Sequence, residues 1–283
     1  MKIEILPQGS SYWVGDGFPV RNMFPSNNLG SRISPFLMLD YAGPLAFEPS
    51  DKPRGVDQHL HRGFETVTIA YQGSVAHRDS GGNSGVIHPG DVQWMTAASG
   101  VVHEEKHDPE FTAKGGIFEM VQLWVNLPRA HKMSAPRYQA ITSADIPEVA
   151  VGTKSTLRVI AGDYAGTRGA ASTFTPIAVY DLRIAAGDSF PLPLNPAFNS
   201  SLFVLNGDVQ IDTESASGEA KLAVLPRGTS SVTLAAKADT RMLVLSGEAI
   251  DEPVAQHGPF VMNTREELVQ AFHDYQEGRM GRL

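Results

Sequence analysis

The chain of 283 residues contains no cysteine. That excludes a disulfide framework, a thiolate metal site and a thiol nucleophile together. Long apolar runs are also missing. No stretch approaches the ~18 residues that span a bilayer. Near the start, Glu4 and Pro7 interrupt the one segment that could resemble a secretion signal. A soluble, cytoplasmic protein is expected. Positive charge is scarce: 23 Lys and Arg stand against 31 Asp and Glu, a formal net charge of −8, with no basic cluster. Direct nucleic-acid binding draws on phosphate neutralisation, so no nucleic-acid partner is expected, and no membrane partner either.

What the chain does have is apolar content of 42% against 19% charged residues, enough for packed cores rather than disorder. Glycine and proline are spread along its length and cut it into short segments with period-two alternation. That pattern predicts an all-β sandwich or barrel. The clearest strand is 65–71, ended by Gln72-Gly73, with Val67, Ile69 and Tyr71 on one face. If the chain stays extended back through Glu65 to His61 and His59, all of these face one interior. Further strands are expected over 85–87, 92–96, 119–127, 201–209, 232–234 and 242–245. Residues 131–156 hold Pro136, Pro147 and Gly152 and read as a linker between domains of 1–130 and 157–283. Setting Gly207 on Gly73 suggests a weak internal duplication. On that alignment His59, His61 and Glu65 fall on Pro193, Asn195 and Asn199, so the second copy lacks metal ligands. At the end, Thr264-Arg-Glu-Glu267 is a capping box. Leu268, Ala271, Phe272 and Tyr275 form a helical stripe, and Gly278 is expected to stop the helix.

The chemistry concentrates in 59–105. His59-Leu-His61 and His103-Glu-Glu105 each place two ligand-type side chains two residues apart. Side chains at that spacing share one face of a strand, so two such strands can aim four donors at one point. Imidazole and carboxylate suit Fe(II), Mn, Ni, Cu or Zn. An octahedral ion with four protein ligands keeps two positions open, one for a substrate oxygen and one for a small gas molecule. Two candidates exist for the carboxylate ligand, Glu65 and Glu105. His77, His88, His107 and His131 read as ordinary structural or surface histidines, although His107 shares parity with His103. Trp94 and Trp124 read as core, with a platform for a flat substrate as the alternative.

The order His59-Leu-His61-Arg-Gly-Phe-Glu65, Pro89-Gly90 and Gly100-Val-Val-His103 resembles the two-part cupin pattern. The longer blocks 59–67, Pro89-Gly-Asp-Val-Gln-Trp-Met-Thr-Ala97, Gly100-Val-Val-His-Glu-Glu105, Gln122-Leu-Trp-Val-Asn-Leu-Pro128 and Gly258-Pro-Phe-Val-Met-Asn-Thr264 resemble the pirin family. The resemblance implies a bicupin: two cupin-like barrels with a short C-terminal helix and metal only in the first. It implies His59, His61, His103 and Glu105 as ligands, which favours Glu105 over Glu65. It also implies a divalent transition metal, Fe(II) first among the candidates. The function implied is a quercetin 2,3-dioxygenase-type enzyme that opens the central ring of flavonols with O2, Glu105 serving as general base. The family also implies an alternative, an iron-dependent regulatory or redox-sensing protein acting through a protein partner.

Overall fold

A computed structural model describes residues 2–24 and 29–283. The chain forms two compact units. One gathers Met1–Gly9, Met23–Pro35 and Ala144–Ala249; the other gathers Ser10–Asn22, Phe36–Ser143 and Ile250–Leu283. Both are built from antiparallel sheets, the all-β architecture that the spacing of turns predicts.

The expected partition at 130 and 157 differs from these units at the N-terminus, at Met23–Pro35, within the expected linker and at the C-terminus. The strand Glu4–Leu6 pairs with Lys221–Val224, which draws the N-terminus into the unit of 144–249. The expected linker is largely strand. Arg137–Ile141 pairs with Val92–Thr96, and Glu148–Val151 pairs with Ser155–Ala161. The C-terminal helix Arg265–Gln276 joins the unit that holds the histidines, where Leu268 and Ala271 meet Leu60, Val102 and Phe260.

That helix starts as its sequence dictates, with the Thr264–Glu267 capping box formed in both directions. Its buried face is rotated from the expected stripe. Phe272 and Tyr275 are 38% and 44% exposed, while Asp274 is buried. The cause is electrostatic: Arg62 Nη1 donates to Asp274 Oδ2 at 2.7 Å, with both side chains almost wholly out of water. A paired, hydrogen-bonded carboxylate tolerates burial that an isolated one does not.

Within this unit a four-stranded sheet orders Gly55–His61, Val101–His107, Val75–Asp79 and Ser84–Ile87. A seven-stranded sheet carries Phe64–Gln72 beside Gly116–Asn126, which in turn pairs with Phe36–Phe47. The chain passes from one sheet to the other at Arg62-Gly63. Gly63 has φ +88°, and a Cβ there would lie 2.0 Å from the Val261 carbonyl oxygen, so only glycine fits.

The Gly63 turn breaks the face parity assumed from the sequence. Thr68, rather than Val67 or Ile69, stands against Glu105 and Gln122. Glu65, Val67 and Ile69 occupy the other face of their strand. There Glu65 accepts from the Thr96 hydroxyl at 2.6 Å, with Arg137 at 3.9 Å. Beneath the same turn, Lys132 Nζ donates to the Gly63 carbonyl (2.7 Å), Asn126 Oδ1 (2.6 Å) and the Val261 carbonyl (2.9 Å). Burial pushes its amine down, to about 7. Three accepting oxygens nonetheless match the three N–H groups of the ammonium form.

Two outcomes follow. Lys132→Met leaves three buried acceptors without a donor and should lower the unfolding free energy by about 3 kcal/mol or more, read by denaturant unfolding. Glu65 gives a pH signature. Burial raises its carboxyl from 4.5 to about 6, so the folded state binds the proton more tightly than the unfolded one. Stability associated with this group is present below the unfolded value and is lost as pH rises through about 6. Glu65→Gln removes that loss. The variant should gain about 2 kcal/mol over wild type between roughly pH 4 and pH 7. A pH-independent difference between the two proteins would contradict this origin.

Candidate metal centre

His59 and His61 lie on the strand Gly55–His61 and His103 on Val101–His107, paired antiparallel with His59 directly opposite His103. The i, i+2 spacing turns His59 and His61 to the same side, and the register brings His103 onto that side. A donor nitrogen from each of the three lies within 4.8 Å of the others. Ring centroids are 4.1 Å apart for His59–His103 and 4.9 Å for the two pairs involving His61. The register shifts after His103, so Glu105 pairs with Val56. Glu104, between the two, turns outward to Arg78.

Among the described residues the tight cluster comprises these three histidines. Glu105 is buried and lines the same cavity as His59 and His61. The Thr68 hydroxyl stands 3.4 Å from Glu105 Oε1 and 3.0 Å from Gln122 Oε1. Burial raises the Glu105 carboxyl above its ordinary value, opposed by the neighbouring His59 and by Thr68. The second candidate, Glu65, is held by Thr96 on the far side of its strand and does not line the cavity.

The histidines fit a cation. Burial holds His61 and His103 well below the usual imidazole value, reinforced by their histidine neighbours, so both are neutral at pH 7 and their lone pairs are available. His61 Nδ1 and both ring nitrogens of His103 are buried with no hydrogen-bond partner. Orphaned buried nitrogens carry a desolvation penalty, and a bound cation offsets it. His59 Nδ1 is bonded to the Asp57 carbonyl at 2.9 Å, which fixes the proton on that nitrogen and leaves Nε2 as the donor atom to a metal.

The cavity above the histidines measures about 490 Å³ and is mainly apolar. Met38, Met120, Phe18, Val20 and Trp124 form its walls. Trp124 therefore belongs to the wall, its ring 5.3 Å from that of His61, whereas Trp94 is fully buried core as expected. A polar group that the sequence reading missed also lines it. Asp40 accepts from the Tyr12 hydroxyl and from Asn22 Nδ2, each at 2.6 Å. Burial raises both the Asp40 carboxyl and the Tyr12 phenol. A lone carboxylate inside the apolar strand Phe36–Phe47 was the available signal. His107 does not reach the cavity; it bonds the Gly17 carbonyl at 3.0 Å and stacks on Phe118. His77 is held by the Tyr138 hydroxyl at 2.7 Å.

Comparison with known proteins accords with this geometry. Residues 17–125 match the family model described as Pirin, and residues 179–281 match the Pirin C-terminal cupin domain. A Pseudomonas aeruginosa protein with the provisional name quercetin 2,3-dioxygenase is 52% identical, covering 98% of this chain and 97% of its own. Mouse pirin is 39% identical over 88% of this chain and 83% of its own. The crystal structure of a quercetin 2,3-dioxygenase from Acinetobacter baumannii superposes with a TM-score of 0.95 at 48% identity, covering 98% and 97% of the two chains. With such identities sustained over nearly the full length of each chain, the protein belongs to the pirin family and has its bicupin fold.

Proposed function

We propose that this protein is a metal-dependent dioxygenase that opens the central ring of flavonols with O2. His59, His61, His103 and Glu105 would hold one divalent transition metal, iron(II) in the native protein. The observation that carries the reading is the set of orphaned nitrogens on His61 and His103, in a histidine cluster of which His59 and His61 line a largely apolar cavity. The names carried by the Pseudomonas and Acinetobacter relatives support the substrate class. A metal bound there supplies Lewis acidity toward a substrate hydroxyl and a redox-active centre for O2.

The chain's own residues account for the rest. The cavity lies within the size range of small-molecule sites. Trp124 offers a flat face, and Met38 and Met120 adapt to the substrate's outline. These walls exclude water from the reacting rings. Glu105, in the cavity with His59, is placed to accept the proton of the flavonol hydroxyl, and Thr68 orients its carboxylate. Asp40, fixed by Tyr12 and Asn22, gives the cavity a polar point against which a substrate hydroxyl can be aligned.

The direct test is turnover. Iron-loaded protein should consume quercetin with O2 uptake and CO release; inactivity with Fe, Mn, Ni and Cu alike would sink the enzyme reading in favour of a regulatory one. At matched metal occupancy, Glu105→Gln should lower turnover by about 10²-fold or more, the scale of losing a general base. Glu65→Gln, turned away from the cavity, should stay within a few-fold of wild type. Wild-type rates in Glu105→Gln would remove the base role. Elemental analysis should find one ion per chain, lost in a His59→Ala/His103→Ala double variant. Metal retained by that variant would point to a different site.

A further inference from the structure

The unit of 144–249 carries a second cavity, of about 600 Å³. Strand registers identify its place in the fold. The alignment that sets Gly207 on Gly73 also sets Ser200 on Thr66. Thr66 lies opposite Trp124, which lies opposite Met38. In the other unit Ser200 lies opposite Ser246, which lies opposite Ala178. Two residues along, Tyr180 corresponds to Asp40. Met38, Asp40 and Trp124 line the cavity over the histidines, and Ala178, Tyr180 and Ser246 line the second one. Pro193 and Asn195, which replace His59 and His61, line it as well. The second cavity is therefore the same barrel mouth, stripped of its histidines and enlarged where Met38 and Trp124 become Ala178 and Ser246.

Its chemistry differs accordingly. The lining has no histidine and one carboxylate, Asp163, whose Oδ1 accepts the Gly166 amide at 3.0 Å. Metal chemistry is thus replaced by aromatic walls and a cation. Tyr164 and Tyr180 meet edge to face at 5.5 Å, with Phe198 in the same lining. The Tyr180 hydroxyl is committed to the Asp163 carbonyl. The Tyr164 hydroxyl has no hydrogen-bond partner among the described residues although the residue is only 9% exposed. Burial raises its phenol, so it is a proton donor at neutral pH. Arg168 sits across a two-stranded hairpin from Asp163, next to Tyr164. Arg168 is exposed, lines the cavity and has no ion pair among the described residues.

We propose that this cavity binds a small planar aromatic carboxylate. The carboxylate docks on Arg168, the ring lies among Tyr164, Tyr180 and Phe198, and the Tyr164 hydroxyl donates to the ligand. Guanidinium and carboxylate form paired, charge-assisted hydrogen bonds, and aromatic rings favour the edge-to-face surroundings present here. The site is independent of the metal centre and of the reaction proposed for it.

Calorimetric titration of the full chain with 4-hydroxybenzoate tests the site. One saturable site per chain is expected. The methyl ester of the same compound and the Arg168→Ala variant should each bind about tenfold more weakly or worse, the scale of losing a charge-assisted pair. Tyr164→Phe should bind about fivefold more weakly, one hydrogen bond's worth. Trp124→Ala, in the other cavity, should bind as wild type does. The proposal is overturned by absence of saturation up to about 1 mM. It is overturned equally by affinity indifferent to Arg168→Ala, or by loss of binding in Trp124→Ala, which would place the ligand over the histidines.

Discussion

A slip of one residue between Gly55–His61 and Val101–His107 would turn His103 away from His59 and dissolve the donor cluster. The register is therefore the constraint on which the metal centre depends, and several features hold it. Gly63 lets the chain leave the strand abruptly after His61, against the Val261 carbonyl. Arg62 is clamped on both sides of that turn, by the Ser99 carbonyl at 2.6 Å and by Asp274 of the C-terminal helix. Lys132 gathers the carbonyls of Gly63 and Val261. Residues far apart in sequence thus converge on the two peptides that follow His61. The buried charges are tolerated because each is matched by partners, and removing one partner costs more than the pair contributes.

Polar residues in the barrel are arranged by strand pairing. Asp40, Gln122 and Thr68 are direct cross-strand neighbours across three strands, on the face that looks into the cavity. Glu105 approaches this row from the other sheet. The floor of the cavity therefore offers hydrogen-bonding groups on one side and imidazoles on the other, between apolar walls. A substrate that combines flat rings with hydroxyl groups matches such a surface better than a purely apolar or highly charged one.

The two units show what a duplicated scaffold retains when its chemistry changes. Pairing order and turn glycines persist, since they are fixed by the backbone: Gly73 and Gly207 both adopt positive φ. Side chains at the barrel mouth diverge, since nothing in the backbone requires a histidine or a tryptophan there. The unit without the histidine pair closes its core with Leu, Val and Ile contacts.

The sequence by itself determined the all-β class, the helix with its capping box, the histidine cluster and the loss of ligands from the second copy. Each of these is written in local spacing, period two in strands or three to four in a helix, that survives any tertiary arrangement. Only the tertiary structure decided the rest. It turned Glu65 and Val67 away from the cavity through one left-handed glycine. It rotated the helix to bury Asp274 against Arg62. It brought Trp124, Asp40 and Tyr12 to the cavity wall and assigned the N-terminal strand to the unit of 144–249. These outcomes depend on partners tens to hundreds of residues away, and a change of face at a single residue is enough to invert a reading based on alternation alone.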